Sequence, residues 1–116
     1  MKSRFAVGSV LSLAAAFAAL SFSGAAFAFD EAAAKALAKK NDCTKCHAVD
    51  KDKKASSYKK IAAKYKGKPD AEEKVIKNIT VASKVKLTDG TEEEHRVIDT
   101  KDPKALKNIA QWILAQ

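Results

Sequence analysis

The stretch Cys43-Thr44-Lys45-Cys46-His47 has the spacing C-x-x-C-H, and the interpretation of the whole chain starts from it. Two thiols separated by two residues can both add to the vinyl groups on one edge of a porphyrin. The residue that follows then lies under the ring, where a His nitrogen can bind the iron. The motif therefore predicts one covalently attached haem c, with Cys43 and Cys46 as the thioether residues and His47 as the proximal iron ligand.

A C-x-x-C pair has three other common meanings. A thioredoxin-like redox pair belongs near a βαβ pattern, and no alternation of strands and helices precedes Cys43. A zinc site needs about four ligands, whereas the chain has two Cys and two His, and His95 lies far downstream. A disulfide between cysteines so close in sequence would close its loop with little entropic gain. The fifth residue of the motif favours the haem interpretation over all three.

Residues 1–28 have the pattern of a secretory signal peptide. Two basic residues precede an apolar, uncharged stretch at 5–22, and Ala26-Phe27-Ala28 is an A-x-A cleavage signal. The alternative is an uncleaved membrane anchor, because the apolar run is just long enough to span a bilayer. We predict cleavage at this signal and a periplasmic protein without stable membrane insertion, which agrees with haem attachment outside the cytoplasmic membrane. Residues 29–116 then form a single domain.

The predicted mature domain is basic. Two of the +8 formal charges of the chain lie in the leader, which leaves +6 for residues 29–116. Export argues against nucleic acid as a partner, so we expect redox partner proteins with acidic docking surfaces. The alternative is that the lysines only confer solubility. Those nearest the motif are Lys45, Lys51, Lys53, Lys54, Lys59 and Lys60.

Hydrophobic periodicity and capping residues predict four helices in the mature domain. The first has a small face formed by Ala33, Ala34 and Ala38, and the third is expected to start with a capping box of Asp70 and Glu73. A short irregular hairpin or loop should precede the last helix, because Asp89-Gly90 is a turn signal. The helices are expected at about residues 31–40, 57–66, 70–79 and 103–116.

Taken together, these features resemble the small bacterial class I cytochromes c over essentially the whole of residues 29–116. Three stretches are similar to the helices of that family that follow the haem motif: YKKIAAKY at 58–65, EKVIKN at 73–78 and LKNIAQWIL at 106–114. The resemblance implies an all-α cytochrome c fold of about four helices packed around one haem. It also implies that the first and last helices cross near the haem edge.

The chain departs from that family at two places. The family usually carries Gly-Pro before its second helix, where the proline helps to orient the proximal His, and this chain has Ala55-Ser56. We expect a backbone carbonyl to accept the ring N–H of His47 instead. The family's distal iron ligand is usually a Met before the last helix, but the only Met here is Met1. The usual Met–His pair is therefore excluded after cleavage.

His95 is the leading candidate for the distal iron ligand in place of the Met, because it is the only other His and it precedes the last helix. In an extended segment it would share a face with Val97, away from its charged neighbours. The alternatives are that His95 lies on the surface and that the iron is open, water-bound or bound by another side chain, namely Asn78, Lys84 or Lys86. Ligation by His95 would give a low-spin bis-His haem with a lowered redox potential.

The predicted function is one-electron transfer by a periplasmic monohaem carrier, not an enzyme. A haem-based sensor for gases or other ligands remains an alternative, since it needs an open or displaceable sixth position. The electron-transfer subunit of a larger redox enzyme is a further one. A small peroxidase has little support, because no second His or Arg is placed as a distal acid–base group once His95 is used.

Overall fold

The computed structural model describes residues 29–116, which form four α-helices and one β-hairpin. The leader and the alternative membrane anchor both fall outside these residues. Within 29–116, none of the helices combines the length and the apolar character needed to cross a bilayer. The elements are α1 (Glu31–Lys40), a 3-10 turn (Cys43–Lys45), α2 (Tyr58–Tyr65), α3 (Ala71–Thr80), β1 (Lys84–Lys86), β2 (Glu92–Glu94) and α4 (Pro103–Leu114). This architecture confirms the predicted fold class.

Polar side chains cap three of the helices. The carboxylate of Asp30 accepts the N–H of Ala33 at the start of α1, Ser57 caps α2, and Asp102 caps α4 ahead of its N1 proline. The capping box predicted for α3 is wrong. Asp70 precedes α3 but makes no capping hydrogen bond, because its carboxylate pairs with the ammonium of Lys74 one turn later, at 2.8 Å.

The core is organised around α4, which packs against the other three helices. Small residues allow α1 and α4 to approach closely, because Ala34, Ala38 and Ala110 are fully buried at their contact. Ala33 was predicted to belong to this small face, but it is exposed. The core cluster comprises Ala34, Ala38, Tyr58, Val75, Ile79, Ile98, Ile109, Ala110, Trp112 and Ile113.

A side-chain amide fixes the start of α1 against α4. The Oδ1 of Asn108 accepts the backbone N–H of Asp30 at 2.7 Å, and its Nδ2 donates to the carbonyl of Asp30 at 2.9 Å. One residue therefore satisfies both backbone groups of the residue that caps α1. This pairing sets how far the two helices can slide along each other.

The predicted hairpin is present and its two strands are antiparallel. Lys84 pairs with Glu94 and Lys86 with Glu92, so opposite charges face each other across the strands. Gly90 forms the turn with a left-handed φ of 87°, as the sequence predicted. The apolar side chain that the hairpin buries is Leu87.

Replacement of Ala38 by Leu should destabilise the protein by overpacking the contact between α1 and α4. We expect a loss of about 1–3 kcal/mol in the free energy of unfolding, measured on the haem-loaded protein by denaturant titration. Ala36→Leu is the matched control, because Ala36 is exposed on the same helix. Equal stabilities of the two variants would contradict the close packing.

Candidate functional site

The residues of the C-x-x-C-H motif lie in a tight turn after α1. Asn41 ends the helix, and Asp42 adopts a left-handed backbone conformation with φ of 60°, which Asp tolerates better than most residues. The chain then folds back on itself, since the N–H groups of Cys46 and His47 both donate to the carbonyl of Cys43, at 3.2 and 2.9 Å. The turn brings both free thiols and the imidazole to one region of the surface.

A cavity of about 280 Å³ lies between this turn, the hairpin and helices α2, α3 and α4. Cys43 and His47 line one side of it, and His95 lines it as well. A smaller cavity of about 50 Å³ shares these three residues and extends to Cys46. Most of the remaining wall is apolar and is formed by Ile61, Val75, Ile79, Val85, Ile98, Ile109 and Ile113.

His47 is held in one orientation from two directions. Its Nδ1 lies 2.6 Å from the carbonyl oxygen of Ser56, so Nδ1–H donates there and Nε2 is the nitrogen left for a metal. The ring of Tyr58 stacks on the imidazole with centroids 5.2 Å apart, and Trp112 packs edge-on against Tyr58. Burial raises the pKa of Tyr58, so its ring stays neutral. The backbone acceptor expected in place of the family's proline is therefore present.

His95 follows β2 and extends the ladder of the hairpin, because its backbone N–H donates to the carbonyl of Ser83 at 2.7 Å. Among the described residues, nothing forms a hydrogen bond with its buried Nδ1. Burial lowers the pKa of His95, the nearby His47 lowers it further, and the backbone of Asn78 opposes both. The neutral ring, which is the form that binds metals, is thus favoured.

The two imidazole rings lie close together in an edge-on arrangement, and the distance between their centroids suits a shared metal ion. Their ring centroids are 6.3 Å apart and their planes are inclined by 67°. A first-row metal lies about 2.0–2.1 Å from an imidazole nitrogen and therefore about 3.1–3.2 Å from the ring centroid. Two rings on opposite sides of one ion then have centroids about 6.2–6.4 Å apart. The structure therefore brings together the two His residues that the sequence singled out, although 47 residues separate them along the chain.

Three contacts tie the segment after His95 to the rest of the fold. The guanidinium of Arg96 pairs with Asp42 at 3.0 Å, directly before the motif. The side chain of Asn41 accepts the N–H of Asp99 at 2.8 Å. Ile98, which is buried, donates its N–H to a carbonyl at the end of α3. Val97, which was expected to share the face of His95, is instead 37% exposed because the strand ends before it.

The other side chains considered for the iron are engaged or exposed. Asn78 lines the cavity, but its amide donates to the hydroxyl of Tyr65 at 3.0 Å. Lys84 and Lys86 are exposed on β1, and Lys86 also forms part of the cavity wall.

The lysines around the motif are exposed, but several have partners within the chain. Lys45 pairs with Asp42, Lys59 with Asp50 and Lys60 with Asp52. The ammonium of Lys53 donates to the carbonyl of Thr44 at 2.6 Å. Since such surface pairs are weak, these lysines still contribute positive charge to this face.

The family model described as "Cytochrome c" matches residues 31–116. The chain belongs to the cytochrome c family. Proteins of this family are electron carriers with covalently bound haem c, so haem c is the cofactor of this cytochrome. No curated protein matches the chain at a significant level.

Solved structures place the cytochrome among class I monohaem proteins. It is similar to the class 1 cytochrome MtoD from Sideroxydans lithotrophicus ES-1, with 54% identity, a TM-score of 0.72, and coverage of 76% of this chain and 97% of that one. It is also similar to wild-type cytochrome c552 from Nitrosomonas europaea, with 32% identity and a TM-score of 0.55. That match covers 69% of this chain and 95% of the other. The N64Del mutant of that cytochrome c552 matches at 33% identity with a TM-score of 0.57, over 70% of this chain and 96% of that one.

The residues around the cavity suit a haem. The lining of the larger cavity is mostly apolar, as a porphyrin face requires, with Cys43 in its wall. His95 also belongs to this lining, and its buried Nδ1 has no hydrogen-bond partner within residues 29–116. Both cysteines line the smaller cavity. Burial raises the pKa of the Cys43 thiol, so it is mainly protonated in the apoprotein.

Sequence reasoning missed the contacts that hold the two His residues. The pairing of Arg96 with Asp42 joins residues 54 positions apart, and neither residue belongs to a recognisable motif. The departure from Gly-Pro before α2 indicated that His47 needs another support. It led to the expectation of a backbone carbonyl as this support, but it did not indicate which carbonyl, nor that the ring of Tyr58 stacks on the imidazole.

Loss of the ion pair between Arg96 and Asp42 should loosen the segment that carries His95. In the haem-loaded Arg96→Ala variant, we expect amide hydrogen exchange at His95 to accelerate about twofold to fivefold, as for the loss of one surface ion pair. Lys45→Ala is the control, because it removes the other cation bound to Asp42 but not the link to the distal segment. Equal exchange rates in both variants would show that Arg96 does not hold the segment.

Proposed function

We propose that this cytochrome is a periplasmic one-electron carrier in which His47 and His95 bind the haem iron from opposite sides. Cys43 and Cys46 would form the two thioether bonds. The observation that carries the proposal is the opposed pair of imidazoles, 6.3 Å apart across an apolar cavity. When bound, the haem supplies a reversible one-electron couple at its iron.

The proposed second imidazole has consequences for the potential. Ligation by Met and His raises the potential of a cytochrome c, and Met1 is the only methionine of the chain. We therefore expect a potential below that of Met-ligated relatives. Because the backbone of His95 is held by the hairpin and the ring of His47 by Ser56 and Tyr58, both ligands should stay in place in both redox states.

The surface around the motif supports a transient encounter with an acidic partner. The six lysines near C-x-x-C-H are exposed, and residues 29–116 carry +6 overall. Such a field speeds the approach of a negatively charged protein more than it tightens the complex. This fits a carrier that must bind and leave repeatedly, and it equally fits attachment to a larger redox enzyme.

His95→Ala should convert a low-spin ferric haem into a high-spin one. The reason is that the small side chain leaves one axial position to water or an added ligand. We expect the low-spin signal in the electron paramagnetic resonance spectrum to disappear and carbon monoxide to bind the ferrous variant stoichiometrically. The wild-type protein should bind it poorly.

Lys84→Ala is the matched control, because Lys84 is exposed on the same hairpin. An unchanged spectrum in His95→Ala would remove His95 from the site, and a change in Lys84→Ala would implicate the lysine. Rapid carbon monoxide binding by the wild-type protein would favour the sensor alternative over a carrier.

The leader is expected to be removed on export. Expression of the whole chain with a haem c maturation system should yield a periplasmic protein whose N-terminal residue is Phe29, because the A-x-A signal ends at Ala28. The intact mass should equal that of residues 29–116 plus one haem. A membrane-bound product that retains residues 1–28 would support the anchor instead.

A further inference from the structure

A single peptide group connects His47 to a carboxylate. The carbonyl of Ser56 accepts Nδ1–H of His47 at 2.6 Å. The N–H of the same peptide group, which belongs to Ser57, donates to Oδ1 of Asp52 at 2.9 Å. The three groups therefore form a continuous chain of hydrogen bonds from the imidazole to a negative charge.

Asp52 is held in this position by its surroundings. Its second oxygen pairs with the ammonium of Lys60 in the first turn of α2. The backbone N–H of Lys60 donates to the hydroxyl of Ser57, which is buried. The backbones of His47 and Asp52 also form an isolated antiparallel bridge. Because the loop and the start of α2 are tied to the same carboxylate, the Ser56–Ser57 peptide has little freedom to rotate.

The chemistry of the peptide group lets this carboxylate act at a distance. The C–N bond of a peptide is partly double. A carboxylate that accepts a hydrogen bond from the N–H therefore increases the electron density on the carbonyl oxygen of the same peptide. Hydrogen bonds in a chain polarise one another in this way and strengthen. A stronger acceptor at Ser56 makes His47 a better electron donor, as second-shell carboxylates do for metal-bound histidines.

We propose that Asp52 is a positioning residue for His47 and that it acts through the Ser56–Ser57 peptide. It replaces the rigidity that the family's proline provides and adds a negative charge that favours the ferric state. This inference rests on the proposed role of His47 as an iron ligand, but not on the role of His95.

The haem-loaded Asp52→Asn variant tests the proposal, because Asn keeps the shape and removes the charge. At one fixed applied potential, we expect the ratio of ferrous to ferric protein to rise about threefold. This corresponds to an increase of about 28 mV in the reduction potential, since a tenfold change in the ratio is 59 mV for a one-electron couple. The ¹H resonance of Nδ1–H of His47 in the diamagnetic ferrous protein should also move upfield, because its hydrogen bond weakens.

Asp50→Asn is the matched control. Asp50 lies two residues away and pairs with Lys59, so this variant removes the same charge without touching the peptide. We expect less than half of the change in the ratio and no movement of the Nδ1–H resonance. Asp52→Glu keeps the charge and the acceptor. In this variant, the change in the ratio and the shift of the Nδ1–H resonance, both relative to the wild type, should be at most half of those in Asp52→Asn.

Equal changes in the Asp52→Asn and Asp50→Asn variants would overturn the proposal, because the effect would then be a general one of charge. An Asp52→Glu variant that behaves like Asp52→Asn would also count against it. Failure of the proposed function is seen separately, as a wild-type spectrum without the signature of axial imidazole ligation.

Discussion

The rest of the site is arranged around two imidazoles that lie close together in the wall of one largely apolar cavity. Neither His47 nor His95 could keep its position alone, because His47 follows a 3-10 turn and His95 follows a short strand, so neither lies within a helix. His47 is held by a backbone carbonyl and a stacked tyrosine. His95 is held by the ladder of a hairpin whose facing strands carry opposite charges. The remainder of the fold supplies the apolar walls between them.

The hairpin, together with the contacts of Arg96 and Asp99 with the residues just before the motif, supports the side of the cavity that carries His95. In this chain a His follows β2 and precedes α4, in the part of the sequence where relatives usually place a methionine. The segment is connected to the end of α1 through Asn41 and Asp42 and to the end of α3 through a backbone hydrogen bond. Because Asp42 directly precedes Cys43, any movement of the distal segment is coupled to the turn that carries the thiols.

The parts of the fold that were predictable are those governed by local interactions. Helix boundaries followed from capping residues and from apolar spacing, and the hairpin followed from Asp89-Gly90. The errors occurred where one residue could make either of two interactions. Asp70 could cap α3 or form an ion pair with Lys74, and in the structure it forms the ion pair. Ala33 could join the small face of α1, but only Ala34 and Ala38 of that predicted face are buried, and Ala33 stays exposed.

By itself, the sequence determined the cofactor, the helical class and the absence of a methionine from residues 29–116, because C-x-x-C-H, helix periodicity and composition are local properties. It also made His95 the leading candidate by elimination. Only the tertiary structure decided that His95 stands opposite His47, that Arg96 reaches Asp42 and that Asp52 holds the peptide behind His47. These contacts depend on how the turn, the hairpin and α2 pack together, and no spacing along the chain encodes that packing.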